Sequence, residues 1–122
     1  MLVALWIING LLALAFLAAG ALKTVRPKEA LAGAGMPWVE DFGSRTINLI
    51  GLAEVLAAVG LVLPLLLGVA PVLTPLAALG LLIVMIGAAV VHLRRREKAV
   101  VPMVLAALAA ASTFIGFAVV LG

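Results

Sequence analysis

The sequence predicts an all-α membrane protein: a bundle of four transmembrane helices forming a single domain over residues 1–122, with a short interfacial segment between the first and second spans. Three observations predict it. Of 122 residues, 67% are hydrophobic and 11% are charged, against about half and a quarter in soluble chains. A small domain leaves much of its surface in water and could not hide so much apolar area. The charges are also segregated, so that uncharged blocks long enough to cross a bilayer alternate with short charged ones. Finally, the apolar blocks are continuous and do not alternate with polar residues, which suits helices and not the strands of a membrane barrel. The same composition excludes disorder, which needs low hydrophobicity.

A span needs about 20 apolar residues. Met1–Leu22 is uncharged and supplies the first. It lacks a basic leading region and its apolar run exceeds that of a secretory signal, so it is read as a retained helix. The alternative is a cleaved signal, which Ala19-Gly20-Ala21 weakly imitates. Between Thr46 and His92 only Glu54 is charged. As one helix that block would be about 70 Å long, twice the bilayer, so it must fold back. Gly68, Pro71 and Pro75 supply the break, placing the second span at about 46–67 and the third at about 73–92. Thr74 is the expected cap of the third helix. Pro64 is expected to bend or end the second. Pro102 suits the first turn of a fourth span at about 100–121.

The linker between the first two spans carries its own pattern. Pro27 to Gly33 can make one or two helical turns, with Gly33 or Gly35 as C-cap. Met36, Trp38, Val39 and Phe42 then form an apolar cluster beside Glu40 and Asp41. This is the segment expected at the membrane surface, with Trp38 in one interfacial belt and Trp6 in the other.

Orientation follows from Lys and Arg. Lys23, Arg26, Lys28 and Arg45 lie in the first loop; Arg94, Arg95, Arg96 and Lys98 lie in the third; the second has none. The 1–2 and 3–4 loops are therefore expected in the cytoplasm, with both termini on the other side. The run Arg94–Lys98 is read first as this topology signal, and second as an anionic-lipid site. A net charge of +3 is thus a matter of topology, and nucleic acid is not an expected partner.

Much chemistry is excluded. There is no cysteine, hence no disulfide, thiolate metal site or iron–sulfur cluster within the chain. His92 is the only histidine, so a haem held by two imidazoles would need a second copy. No phosphate loop, nucleotide fingerprint or Ser-His-Asp set is present. The sequence offers no autonomous catalytic constellation and no evident metal, haem or nucleotide site.

The polar residues at membrane depth are therefore the candidates: Asn9 in the first span, Asn48 and Glu54 in the second, Ser112 and Thr113 in the fourth. A lipid-facing carboxylate is costly, so Glu54 is expected inside the bundle, protonated or paired with a cation. Lys23 and His92 are the nearest cations by topology. Lys23 lies about two helical turns away in height and must reach inward to pair, so neither partnership is assigned. Two roles stay open for Glu54: a proton-linked or cation-binding site, or hydrogen-bonding glue. Gly20-x-x-Lys23 and Gly51-x-x-Glu54 share a layout in which a glycine one turn before the ionisable residue admits a neighbouring helix or a small ligand. Ala15 with Ala19, Ala53 with Ala57, and Ser112 with Gly116 have the spacing of packing seams.

Several of these residues together carry a resemblance. The chain resembles the DoxX-like membrane proteins over nearly its whole length. The matching features are Ala19-Gly20-Ala21-Leu22-Lys23 closing the first span, Leu31-Ala-Gly-Ala-Gly35-Met36-Pro37 in the loop, Gly51-Leu-Ala-Glu54, and Met85-Ile-Gly87-Ala88 followed by His92 and a basic loop. The resemblance implies a compact four-helix protein of the bacterial inner membrane. It also implies association with redox or detoxifying enzymes, some relatives being membrane subunits of quinone-linked sulfur oxidation. It supplies no catalytic residue. The leading expectation is a non-catalytic membrane subunit or scaffold for a redox or stress-response partner, alone or as a homo-oligomer. The alternative is a subunit that binds quinone or another small lipophilic molecule near Glu54. A third reading, a proton-coupled small-molecule transporter, is weakened because small multidrug carriers keep their glutamate in the first helix.

Overall fold

The computed structural model describes residues 1–122 as four long helices joined by short connections. They are α1 (Leu2–Val25), α3 (Ser44–Leu67), α4 (Leu73–Arg94) and α5 (Val100–Leu121). Between α1 and α3 lie a six-residue helix, α2 (Lys28–Gly33), and a 3₁₀ turn at Pro37–Asp41. All four long helices are long and apolar enough to cross a membrane. The protein is a multi-pass membrane bundle. Only 23 of 122 residues are buried, and the rest of the apolar surface must therefore face lipid. Leu14, Leu66, Ile83 and Phe114 all point outward.

Each break has a local cause. Arg26 is extended (φ −93°, ψ 141°), as a residue before proline prefers, so α1 stops three residues beyond the expected Leu22. α2 ends where Met36 N–H donates to Leu31 O across Gly35, whose φ is +92°; of the two expected caps, Gly35 is the one used. α3 does not end at Pro64. It runs to Leu67, and Gly68 (φ +67°) turns the chain while Gly68 and Val69 N–H both donate to Pro64 O. The proline carbonyl needs no N–H of its own to accept these bonds, so proline is compatible with this position. α4 ends in the same way at Arg96 (φ +58°), with Glu97 N–H on His92 O.

Thr74 corrects a second expectation. α4 begins at Leu73 with Val72 as its N-cap, and no side chain caps it. Thr74 is fully buried, and its hydroxyl donates to Gly60 O at 3.0 Å. The residue expected to cap one helix therefore ties α4 to α3. Pro75 and Pro102 both sit in first turns, where a missing N–H costs nothing.

The helices form a ring in the order α1, α3, α4, α5. α1 packs most closely on α3 and α4 on α5, while α1 and α5 make the loosest neighbouring contact. Leu12, Phe16, Leu61, Leu81, Met85 and Ala109 fill the centre. Lipid tails are as apolar as these side chains, so close packing, and not transfer from water, holds the centre together. A second small core, Leu31, Val39 and Ile47, seats the linker on the start of α3. All charged side chains except Glu54 lie at or near the end formed by this linker and the α4–α5 connection.

The expected small-residue seams are only partly real. Gly116 lies against Pro75, and Ser112 is buried. Ala53 and Ala15 are exposed. The closest approach in the bundle uses Gly20 and Gly51: a Cβ on Gly20 would lie 2.6 Å from Gly51 O, and one on Gly51 would lie 2.7 Å from Gly20 O.

Candidate functional site

The glycine crossing positions the site. α1 and α3 run antiparallel, so with Gly20 level with Gly51, Lys23 stands about 9 Å nearer the charged end than Glu54. The lysine stem spans that gap by running inward along apolar surface. Lys23 Nζ meets Glu54 Oε1 at 2.5 Å, and both side chains are buried, at 7% and 1% exposure for the two residues. Sequence alone left this pair open; its geometry follows from two glycines that let the helices nearly touch. Thr24 contributes by donating its hydroxyl to Gly20 O at 2.8 Å.

The pair forms part of the wall of a cavity of about 440 Å³. Phe16 and Ala19 of α1, Met85 and Ala88 of α4, and Leu105 of α5 give it an apolar lining. Trp38 and Phe42, carried inward by the 3₁₀ turn, complete its charged end. Their rings meet edge to face with centroids 5.8 Å apart. Lys23 Nζ lies 5.4 Å from the Trp38 ring centroid, within range of a cation–π contact. Trp38 is therefore half-buried beside the ion pair. Ala15, Gly87 and Val101 are exposed members of the lining, so the cavity opens among lipid-facing residues.

His92 also lines the cavity. Its Nδ1 lies 3.1 Å from Glu97 Oε1, not beside Glu54. Arg95 joins this group, 3.4 Å from Glu97 and 2.8 Å from Asp41 on the 3₁₀ turn. Hydrogen bonding to Asp41 raises the Arg95 guanidinium further above its ordinary value, so it is a permanent cation. The chain Asp41–Arg95–Glu97–His92 ties the segment bearing Trp38 and Phe42 to the end of α4. Asp41 is half exposed, and such surface pairs contribute about 1 kcal/mol or less. In the sequence Arg95 reads as a topology charge or as part of an anionic-lipid site, and nothing there signals its place between Asp41 and Glu97. Arg94, Arg96 and Lys98 remain exposed at this end.

The other candidates gather elsewhere. Asn9 is fully buried; its Nδ2 donates to Leu61 O at 2.9 Å and its Oδ1 accepts from Ser112 Oγ at 2.5 Å. This node links α1, α3 and α5, and both side chains face each other instead of the cavity. Ser112→Ala should lower bundle stability by about 1 kcal/mol, as interhelical hydrogen bonds in membranes do; an SDS-titration unfolding curve in mild detergent measures it. Thr113 bonds its own helix at Ala109 O, 2.7 Å away. Asn48 is exposed beside Thr24, Arg26 and Ser44, so it belongs to the polar rim and not to membrane depth. Trp6 lies half-buried near the end opposite the linker. No group of three or more His, Asp or Glu side chains is arranged to hold a metal ion.

The four-helix, multi-pass bundle defines the class: an integral membrane protein, here with a buried charge pair on an apolar cavity. More particularly, the model of the DoxX-like family matches residues 7–114, and the chain belongs to that family. No curated protein and no solved structure matches it.

Proposed function

We propose that this DoxX-like protein binds a small lipophilic molecule in the cavity beside Lys23 and Glu54. One observation carries this reading: the buried pair borders an apolar space of about 440 Å³, within the range of small-molecule sites. A scaffold that only holds a redox or stress-response partner needs neither the space nor a charge pair within it. A proton-coupled carrier needs a carboxylate free to trade its proton for cargo, whereas Glu54 is engaged by Lys23. Partner binding is compatible with a ligand site, and the exposed basic end, oriented to the cytoplasm of a bacterial inner membrane by its Lys and Arg content, is where a peripheral enzyme would dock.

The test is extraction. The full chain, purified in mild detergent, should carry a lipophilic molecule that mass spectrometry detects in near-stoichiometric amount. Ala88→Phe, which fills the cavity from α4, should fold and carry at most about a tenth as much. Equal recovery from both proteins would remove the cavity from consideration and return the scaffold reading to first place.

A further inference from the structure

Two unused bonding positions identify the head of the ligand, on the reading that the cavity is a binding site. Glu54 is 1% exposed, and only its Oε1 is engaged, by Lys23. Its Oε2 makes no hydrogen bond, yet no enclosed side-chain oxygen or nitrogen lacks a partner. Oε2 is therefore not sealed by protein, and the open space beside Glu54 is the cavity it lines. Lys23 Nζ uses one of its three donors on Glu54, and Lys23 also lines the cavity. An acceptor and a donor thus stand side by side at one end of an otherwise apolar space.

We infer that the site takes a lipophile with a neutral hydroxyl head, whose O–H donates to Glu54 Oε2 while its oxygen accepts from Lys23 Nζ. Charge selects neutrality: the pair carries no net charge, so an acidic or basic head would bring an uncompensated charge into an apolar cavity. Bonding capacity selects the hydroxyl. An ether, ketone or quinone can only accept, and leaves the carboxylate oxygen desolvated without a donor. A pure hydrocarbon leaves both groups unmet. Trp38 and Phe42 flank this end and offer aromatic faces to the first carbons of the ligand, while Phe16, Met85 and Leu105 receive its tail.

The experiment uses the full chain in phosphatidylcholine nanodiscs with Trp6→Phe, so that Trp38 is the one tryptophan and reports binding by its fluorescence. The probes share one isoprenoid tail and differ at the head: farnesol, a farnesylated phenol, farnesyl methyl ether, farnesylacetone and farnesoic acid. Farnesol or the phenol should bind, and whichever is tighter tells an aliphatic from an aromatic source. The ether, ketone and acid should bind about tenfold to a hundredfold more weakly. Glu54→Gln places an N–H₂ donor where the oxygen acceptor stood and leaves the Lys23 charge unpaired, so it should erase the preference for the alcohols and favour the ketone, the ether and above all the acid. If ether or ketone binds as tightly as the alcohols, while Ala88→Phe abolishes binding of all, the cavity reading survives and the hydroxyl inference is overturned. If no probe binds, or Ala88→Phe changes nothing, the cavity reading itself fails and takes the inference with it.

Discussion

Gly51→Val is expected to destabilise the bundle by about 3 kcal/mol, the upper end of ordinary overpacking. The reason lies in what the new side chain would meet. Even a bare Cβ at this position would lie 2.7 Å from Gly20 O, 2.7 Å from Lys23 Cβ and 2.8 Å from Thr24 Oγ1. The first is backbone, which cannot rotate away, so α1 and α3 must separate. That separation would pull Lys23 from Glu54, because the pair already spans about two turns of helix. Gly51→Ala should show the same effect at about 2 kcal/mol. Gly80→Ala is the control: nothing lies within 4 Å of its built Cβ, so it should be neutral or stabilising by up to about 1 kcal/mol through helix propensity. Unfolding midpoints in SDS titration measure all three. Equal behaviour of Gly51→Ala and Gly80→Ala would mean that the helices do not meet at this crossing.

The four spans were legible because lipid imposes a coarse rule: every backbone group must be satisfied within its own segment, so long uncharged runs become helices. The end of α3 was legible because Gly68 enforces it, whereas α1 runs three residues past the expected Leu22, toward Pro27, and the cap of α2 stood open between Gly33 and Gly35. Helix ends were misjudged where the outcome depends on tertiary partners. Thr74 looked like a cap because threonine before a helix usually is one; it turned inward because Gly60 O on α3 was in reach. Asn48 looked membrane-deep by sequence distance, but α3 begins at Ser44 at the polar rim, and Asn48 faces outward there.

The site was half legible. A lone acid at depth marks itself, and the shared spacing of Gly20-x-x-Lys23 and Gly51-x-x-Glu54 already pointed to a close approach. The pairing could not be read, since it depends on which faces of two helices meet. Nor could the position of Trp38 over Lys23, which rests on a 3₁₀ turn between Met36 and Phe42 that no helical or strand period announces. The polar candidates separate into the cavity pair and the Asn9–Ser112 node because they lie at different heights along α1 and α3.

Lys23→Met and Glu54→Leu should each cost about 3–5 kcal/mol, since each leaves a buried charge without its partner. The double variant should recover to within about 1 kcal/mol of the parent, or exceed it, because two apolar side chains of similar volume avoid the desolvation that both ions suffer. The cycle is measurable by SDS unfolding of the four proteins in the same detergent. A double variant as unstable as the sum of the singles would show that the residues act independently, against the 2.5 Å contact. The expected non-additivity has a functional edge. If an apolar pair folds as well as the ionic one, stability does not account for Lys23 and Glu54 being here. The stable double variant should also lose the discrimination between farnesol and its methyl ether, because neither the acceptor nor the donor facing the cavity remains. A bundle that stays folded while its head-group preference disappears would assign the ion pair to recognition and leave structural support to the glycine crossing beside it.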